Sequence, residues 1–253
     1  MKKPFKARRA CRGMTLIELI VVAVVLVILA LMLFPAANSG GGRHRRSIRA
    51  KIEIVSLVTA IKQYEANYNQ LPVSTNVLAS TAADFTLGTF GTISRTSVTN
   101  ASDHQANNSE IIAILLARAH FPDGRPSPNF EHSRNPNRLV FLNAKIVADT
   151  NSPGFGPDGV FRDPWGNPYI ISLDLNGDGR CRDAFYSRAE VSEVDLGSVG
   201  HFGLTRPDSS PTNRHAFEAN TVAMVWSFGP DGQADFSKKA NQGVNKDNVL
   251  GWK

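Results

Sequence analysis

The sequence predicts an α+β protein in which a long N-terminal helix packs on a small antiparallel β-sheet with long loops. Three observations carry that reading. An unbroken apolar run extends from Leu19 to Phe34, residues 43–68 repeat apolar side chains at helical spacing, and strand-like segments collect in the second half of the chain.

The apolar run comes first. A helix from Met14 to Phe34, at a rise of about 1.5 Å per residue, would be roughly 31 Å long, which matches the hydrocarbon thickness of a bilayer. Residues 14–34 therefore read as a transmembrane helix, with Thr15 and Glu18 its polar members. A carboxylate inside a membrane helix is costly and usually marks function. The competing reading lets Glu18 snorkel to the interface one turn from the helix start, where the helix dipole also favours an acid. Residues 1–13 form a basic leader with Lys2, Lys3, Lys6, Arg8, Arg9 and Arg12 and no acid. A secretory signal peptide has an apolar core of about 7 to 15 residues followed by a small-residue cleavage site. Here the core is longer, and the small residue Gly13 precedes it.

Arg12-Gly13-Met14-Thr15-Leu16-Ile17-Glu18-Leu19 resembles the class III signal of type IV pilins and type II secretion pseudopilins. The resemblance implies a type IV pilin-like fold and cleavage by a prepilin peptidase between Gly13 and Met14, with N-methylation of Met14. Glu18 then becomes the fifth mature residue and Pro35 the twenty-second, positions where the family has Glu and Pro; Met14 stands where it usually has Phe.

After the helix, residues 35–42 contain Pro35 and three successive glycines, a flexible segment expected to interrupt the rod. Residues 43–69 form its amphipathic half: Ile48, Ile52, Val55, Ile61, Tyr64 and Tyr68 recur at helical spacing and should pack on a sheet. The basic cluster Arg43, Arg45, Arg46, Arg49 and Lys51 reads either as a solvated face or as a contact with lipid head groups. Residues 70–253 form the globular domain. Within it, 74–109 is a polar loop or edge-strand insertion, and Asn108 or Ser109 should cap a short helix at 110–119. A Pro- and Asn-rich loop then runs through Asn137. Strands are expected at 139–147, 169–175 and 221–228, with a weaker one near 184–191.

Charge and cysteine content narrow the function. The formal charge of +6 is matched by the six basic residues of the leader, so the remainder is near neutral and no nucleic-acid surface is implied. Of the two cysteines, Cys11 lies in the leader, leaving Cys181 without an intramolecular partner. Cys181 sits between Arg180 and Arg182, neighbours able to lower its pKa. The six histidines, at 44, 104, 120, 132, 201 and 215, show no metal-ligand pairing at helical spacing, and no nucleophile elbow or phosphate loop is present, so no enzyme is expected.

Three loops remain. Asp163-Pro164-Trp165-Gly166-Asn167-Pro168-Tyr169 is a turn cluster that packs two aromatic rings without needing a ligand. It also resembles the Asp-Pro-Trp-Gly-x-Pro-Tyr signature of major pseudopilins. The tail from Trp226 through Asp231, Asp247 and Trp252 is similar to that family's calcium loop, which implies calcium ligation by Asp231 and Asp247, with Asp235 a looser match; the alternative is a plain surface loop. Asp174-Leu175-Asn176-Gly177-Asp178-Gly179 fits the first six positions of an EF-hand loop, but Phe185 occupies the twelfth, so Asp183 would have to complete a second calcium site. The alternative there is a tight turn built on Asn-Gly and Asp-Gly.

Taken together, the resemblance implies a pseudopilin that polymerises with itself and other pseudopilins into a short periplasmic filament. The implied setting is a single-pass inner-membrane protein with a cytoplasmic N-terminus and a periplasmic globular domain. Its partners would be the prepilin peptidase, the inner-membrane secretion platform and membrane lipid. A minor type IV pilin for attachment or DNA uptake, and a membrane-anchored extracytoplasmic enzyme or binding module, are the alternatives.

Overall fold

The structure, a computed structural model, describes residues 16–33, 39–79, 84–88, 107–194, 197–207 and 216–253. The chain divides into two units, Met1–Gly42 and Arg43–Lys253.

In the first unit, α1 spans Leu16–Leu33, 18 residues with Glu18 in the first turn. Its large apolar side chains from Leu16 to Ile28 are all exposed, at 47% or more. Such a helix has no polar face to give to water. At about 1.5 Å per residue it is roughly 27 Å long. Among the described residues no helix is long and apolar enough to cross a membrane. The expected span was longer, and its ends at Met14, Thr15 and Phe34 lie outside the described residues, as do Gly13 and Pro35.

The next helix, α2, runs from Ser39 to Tyr68. Gly40, Gly41 and Gly42 are therefore helical, where the sequence suggested a break; residues 34–38 of that segment lie outside the described residues. Each glycine costs about 1 kcal/mol against alanine, and tertiary packing further along the helix offsets that cost.

The buried face of α2 is Ala50, Ile54, Leu57, Ala60, Ile61 and Tyr64. This corrects the expected stripe in its first half: Ile48, Ile52 and Val55 are 46%, 64% and 61% exposed. Two apolar sets with the same three-and-four spacing interleave here, and the one containing the small Ala50 faces the core. Beyond it, Tyr64 and Tyr68 donate hydroxyl hydrogen bonds to Arg134 O and Asn135 Oδ1, tying the end of α2 to the loop at 127–139.

A short helix, α3 (Thr75–Ala79), and an edge strand, β1 (Asp84–Leu87), follow. Helix α4 covers Ser109–Leu115 and stops earlier than its pattern suggested. Asn108 does not cap it. Its buried amide instead donates to Phe161 O and Tyr169 O and accepts from Phe161 N, bridging two later segments.

Strands β2 (Gly154–Phe155) and β3 (Phe161–Arg162) make a small antiparallel pair. The main sheet is built from β1, β4 (Ile170–Asp174), β5 (Ala223–Ser227) and β6 (Val249–Leu250), antiparallel in the order β1-β4-β5-β6. Residues 139–147 are not a strand. The amides of Phe141 and Leu142 both donate to Leu115 O, and Ile146 makes an isolated bridge to Phe155. The weak strand expected near 184–191 is instead a turn followed by α5 (Ala189–Ser192).

Both central strands are buried throughout, because the sheet is covered on both faces. Ile171, Leu173, Ala223 and Val225 pack with α2 and α4 in one core. Ile170, Met224 and Trp226 point the other way, into a second core with Phe185, Tyr186, Phe217 and Phe228.

Candidate functional site

The two signatures near 163–169 and 226–232, far apart in sequence, meet around one buried carboxylate. Asp163 is fully buried. Its Oδ1 accepts from the amides of Trp165 and Asn167, at 2.8 and 2.9 Å, which closes the turn. Its Oδ2 accepts from the Ser227 hydroxyl at the end of β5 (2.5 Å) and from Asn167 Nδ2 (3.4 Å). Burial pushes the Asp163 carboxyl above its ordinary pKa, opposed by the hydrogen bonds from Ser227, Asn167 and Trp165. Ser227 Oγ in turn accepts from Gly229 N, and Asn167 Nδ2 donates to Gly229 O. From sequence, Asp163 was the first residue of a turn cluster and of a family signature, with no partner assigned to it. The signal that would have found it is an acid inside a turn cluster rich enough in apolar side chains to be buried.

From this hub the C-terminal loop folds as two 3-10 turns, Gly229–Asp231 and Gly243–Asp247. Gly229 has φ +72°, and a Cβ there would collide with the Asp247 carbonyl, so glycine is what lets the two turns meet. Asn245 laces the loop shut: its Oδ1 accepts from Asp235 N, and its Nδ2 donates to Asp235 O and Lys238 O.

Asp231 and Asp247 come near each other. Burial first, and then the negative charge of Asp231, raise the pKa of Asp247. Asp247 Oδ1 and Asn248 Oδ1 are buried without hydrogen-bond partners. A buried, unpartnered carboxylate oxygen beside a second carboxylate is a favourable place for a cation. Asp235 does not join them: its Oδ1 accepts from both Ser237 N and Ser237 Oγ, which hold its pKa down. Among the described residues no group of three or more His, Cys, Asp or Glu converges as a metal site. Any cation here would need neutral oxygens besides the two carboxylates.

The loop after β4 is wired differently. Asp174 Oδ1 and Oδ2 accept from Gly177 N and Gly179 N, both at 2.8 Å. Asn176 Oδ1 accepts from Asp178 N, and Asp178 Oδ1 from Arg180 N. Asp183 lies away from this loop, fully buried in the second core. Its Oδ1 accepts from the amides of Phe185 and Tyr186, and its Oδ2 from Ser172 Oγ (2.6 Å) and Trp226 Nε1 (3.0 Å). Those four donors, rather than a cation, satisfy it, and they explain the turn found where a strand was expected. Asp183 thus stands apart from Asp174, Asn176 and Asp178, whose loop is closed by its own backbone amides.

Cys181 also departs from its sequence reading. It is buried, and burial, with Asp84 next, pushes its thiol pKa up despite the flanking arginines. Arg180 and Arg182 turn instead to Glu218, at 3.2 and 3.1 Å.

Of the N-terminal positions, Glu18 is placed in the first turn of α1 and is exposed; Gly13 and Met14 lie outside the described residues. Residues 8–34 match the prokaryotic N-terminal methylation motif. The chain thus carries the class III signal of an exported or membrane-anchored protein, one that implies processing by a prepilin peptidase and pilus-type assembly. With its helix and small antiparallel sheet it is compatible with the type IV pilin-like proteins, pilins and pseudopilins alike. No curated protein and no solved structure matches the chain.

Proposed function

We propose that this chain is a pseudopilin, a mechanical subunit rather than an enzyme, that polymerises through its N-terminal helix into a short periplasmic filament of a type II secretion-like system. The methylation motif at residues 8–34 carries the proposal, because it supplies both a processing site and an apolar helix with an acid near its start. The turn at 163–169 and its closure on the 226–232 tail support the pseudopilin branch.

In this reading the chain is anchored once in the inner membrane, with its N-terminus cytoplasmic and residues 43–253 periplasmic. Cleavage after Gly13 exposes the amine of Met14, and Glu18 pairs with the corresponding amine of a neighbouring subunit, which offsets the cost of holding each charge in lipid. Asp231 and Asp247 would hold calcium, with Asn248 Oδ1 a candidate neutral donor. A bound calcium ion supplies charge neutralisation that closes the polar tail, whereas Asp235 and the 174–183 loop contribute no ligand.

Intact mass of protein extracted from membranes tests the processing, and should fit a chain beginning at N-methylated Met14. A chain that retains Met1, or that starts beyond residue 34, overturns the proposal. Glu18→Ala should still be cleaved and membrane-inserted but fail to enter filaments.

A further inference from the structure

Residues 139–147 carry strand composition, and the domain holds them in place while leaving many of their main-chain groups unused. At the start, the fully buried Asn135 clamps Leu139, accepting its amide at Oδ1 (3.0 Å) and donating from Nδ2 to its carbonyl (2.7 Å). The amides of Phe141 and Leu142 go to Leu115 O, and at the far end Phe155 of β2 donates to Lys145 O (2.8 Å) and accepts from Val147 N (3.0 Å). Gly154, at φ +131°, permits that approach, because a Cβ there would lie 2.5 Å from Lys145 O. Ile146 thereby lies beside β2 in an isolated parallel bridge. Since Lys145 O and Val147 N point at β2, the N–H and C=O of Ile146 point away from it. Among the described residues, the amides of Val140, Asn143, Ala144, Lys145 and Ile146 have no hydrogen-bond partner. Val140 and Ile146 are 68% and 57% exposed, so this side is open. Unused main-chain groups on a segment already fixed in place are a template for one more strand.

The charge of the segment says what kind of strand. Between His132 and Ala148 the sequence has Arg134, Arg138 and Lys145 and no acid. Arg138 and Lys145 are exposed, and the ion pairs of the described residues all lie elsewhere.

We propose that the open edge at residues 140–146 receives an extended acidic segment of a partner protein, which pairs its main chain with Ile146 and sets carboxylates against Arg138 and Lys145. Main-chain pairing supplies affinity in such an addition, and the side chains beside it supply selectivity, here for acids. A second copy of this chain is a poorer occupant in either symmetry. A two-fold contact would set the same cations against themselves. A head-to-tail contact would need an acidic edge elsewhere on the copy, and the main sheet ends in β1 and β6. The carboxylate of Asp84 on β1 is engaged by the Arg182 amide, and the acid next to β6, Asp247, has the calcium role proposed above and lies in sequence between Lys246 and Lys253. The inference stands on the globular unit alone and holds for a pilin as for a pseudopilin.

The test titrates the full chain, in non-ionic detergent, into fluorescein-labelled synthetic peptides that alternate Glu with Val or Lys with Val, read by anisotropy. The expected result is saturable binding of the Glu-Val peptide alone, about tenfold weaker to protein with Arg138→Glu and Lys145→Glu. Ile146→Pro should abolish it with an unchanged melting curve, because the lost amide has no partner in the fold. N-methylating the peptide amides should abolish it on the unaltered protein. Absence of Glu-Val binding, equal binding of the two peptides, or binding that survives N-methylation overturns the inference. Self-association that Ile146→Pro removes and the Glu-Val peptide does not compete away gives the edge to a second copy and overturns it too.

Discussion

Two acidic loops leave opposite ends of the central strands, and their carboxylates face in different directions. In the 174–179 loop each side-chain oxygen of Asp174 accepts a backbone amide, and Asn176 and Asp178 likewise close turns on the chain itself. In the C-terminal loop Asp231 accepts from Gln233 N, but Asp247 Oδ1 is buried with no donor. The first loop resembles a metal-binding sequence more closely, yet the second has the oxygen to offer. What separates them is where the backbone N–H groups point. Gly177 and Gly179, at φ +72° and +79°, turn their amides onto Asp174, and a carboxylate so occupied has little need of a cation.

The strongest way to break this comparison is to remove Asp183, the residue that sequence reasoning had assigned to the first loop as a ligand. If it is a core acceptor, Asp183→Ala strands the Trp226 indole N–H and the amides of Phe185 and Tyr186, and leaves the Ser172 hydroxyl with Thr86 Oγ1 alone. Each buried group left unpaired costs about 1–3 kcal/mol, and partial rearrangement brings the expected loss to about 3–5 kcal/mol. Urea unfolding with and without calcium measures it. A loss that appears only in calcium would return Asp183 to the metal.

The next largest effect sharpens the contrast through calcium itself. If Asp231 and Asp247 bind the ion in the native state alone, a hundredfold excess over Kd adds about 2.7 kcal/mol. For residues 43–253, which contain both cores, that corresponds to a melting shift of roughly 5–10 °C. Asp231→Ala and Asp247→Ala should each remove the shift, while Asp174→Ala and Asp235→Ala should keep it. Equal melting temperatures in calcium and in chelator would make both loops ordinary turns.

How much of this was legible in the sequence depended on the range of the interaction. Local periodicity revealed α1, most of α2 and the strands at 170–174 and 223–227, because a continuous apolar run or a β-branched cluster is a property of neighbouring residues. It failed where two patterns competed. Ile48, Ile52 and Val55 form as good a helical stripe as Ala50, Ile54 and Leu57, and only the sheet decides which faces inward. The segment at 139–147 has strand composition, but Leu115 O takes two of its amides and only its end, around Ile146, meets Phe155 of β2 in an isolated bridge. The two motif loops were visible as separate signatures, whereas their junction through Asp163, Asn167 and Ser227 depends on contacts across more than sixty residues, which spacing cannot reveal.

The smallest effect concerns an unpartnered acid beside the first loop. Asp84 on the edge strand β1 pairs in register with Asp174, its Oδ2 accepts from Arg182 N at 2.7 Å, and its Oδ1 is buried without a partner. Burial raises its pKa from 3.8 to about 6, with Asp174 and Asp178 adding to the rise and the Arg182 amide and charge opposing it. Because the folded chain holds this proton more tightly than the unfolded chain, stability from this group is fully present below pH 3.8 and is lost as pH rises through about 6. Asp84→Asn keeps an acceptor for the Arg182 amide while removing the charge that faces Asp174. It should therefore stabilise the protein at pH 7 by about 1–2 kcal/mol, allowing for solvent screening, and leave it unchanged near pH 4. Asp174→Asn should move the same pH dependence to lower pH but at a net cost, since an amide presents one oxygen where Gly177 and Gly179 need two. Urea midpoints at the two pH values separate the outcomes: a gain at pH 4 as large as at pH 7 would mean that Asp84 acts through packing rather than through charge, and that the first loop is as indifferent to its acids as an ordinary turn.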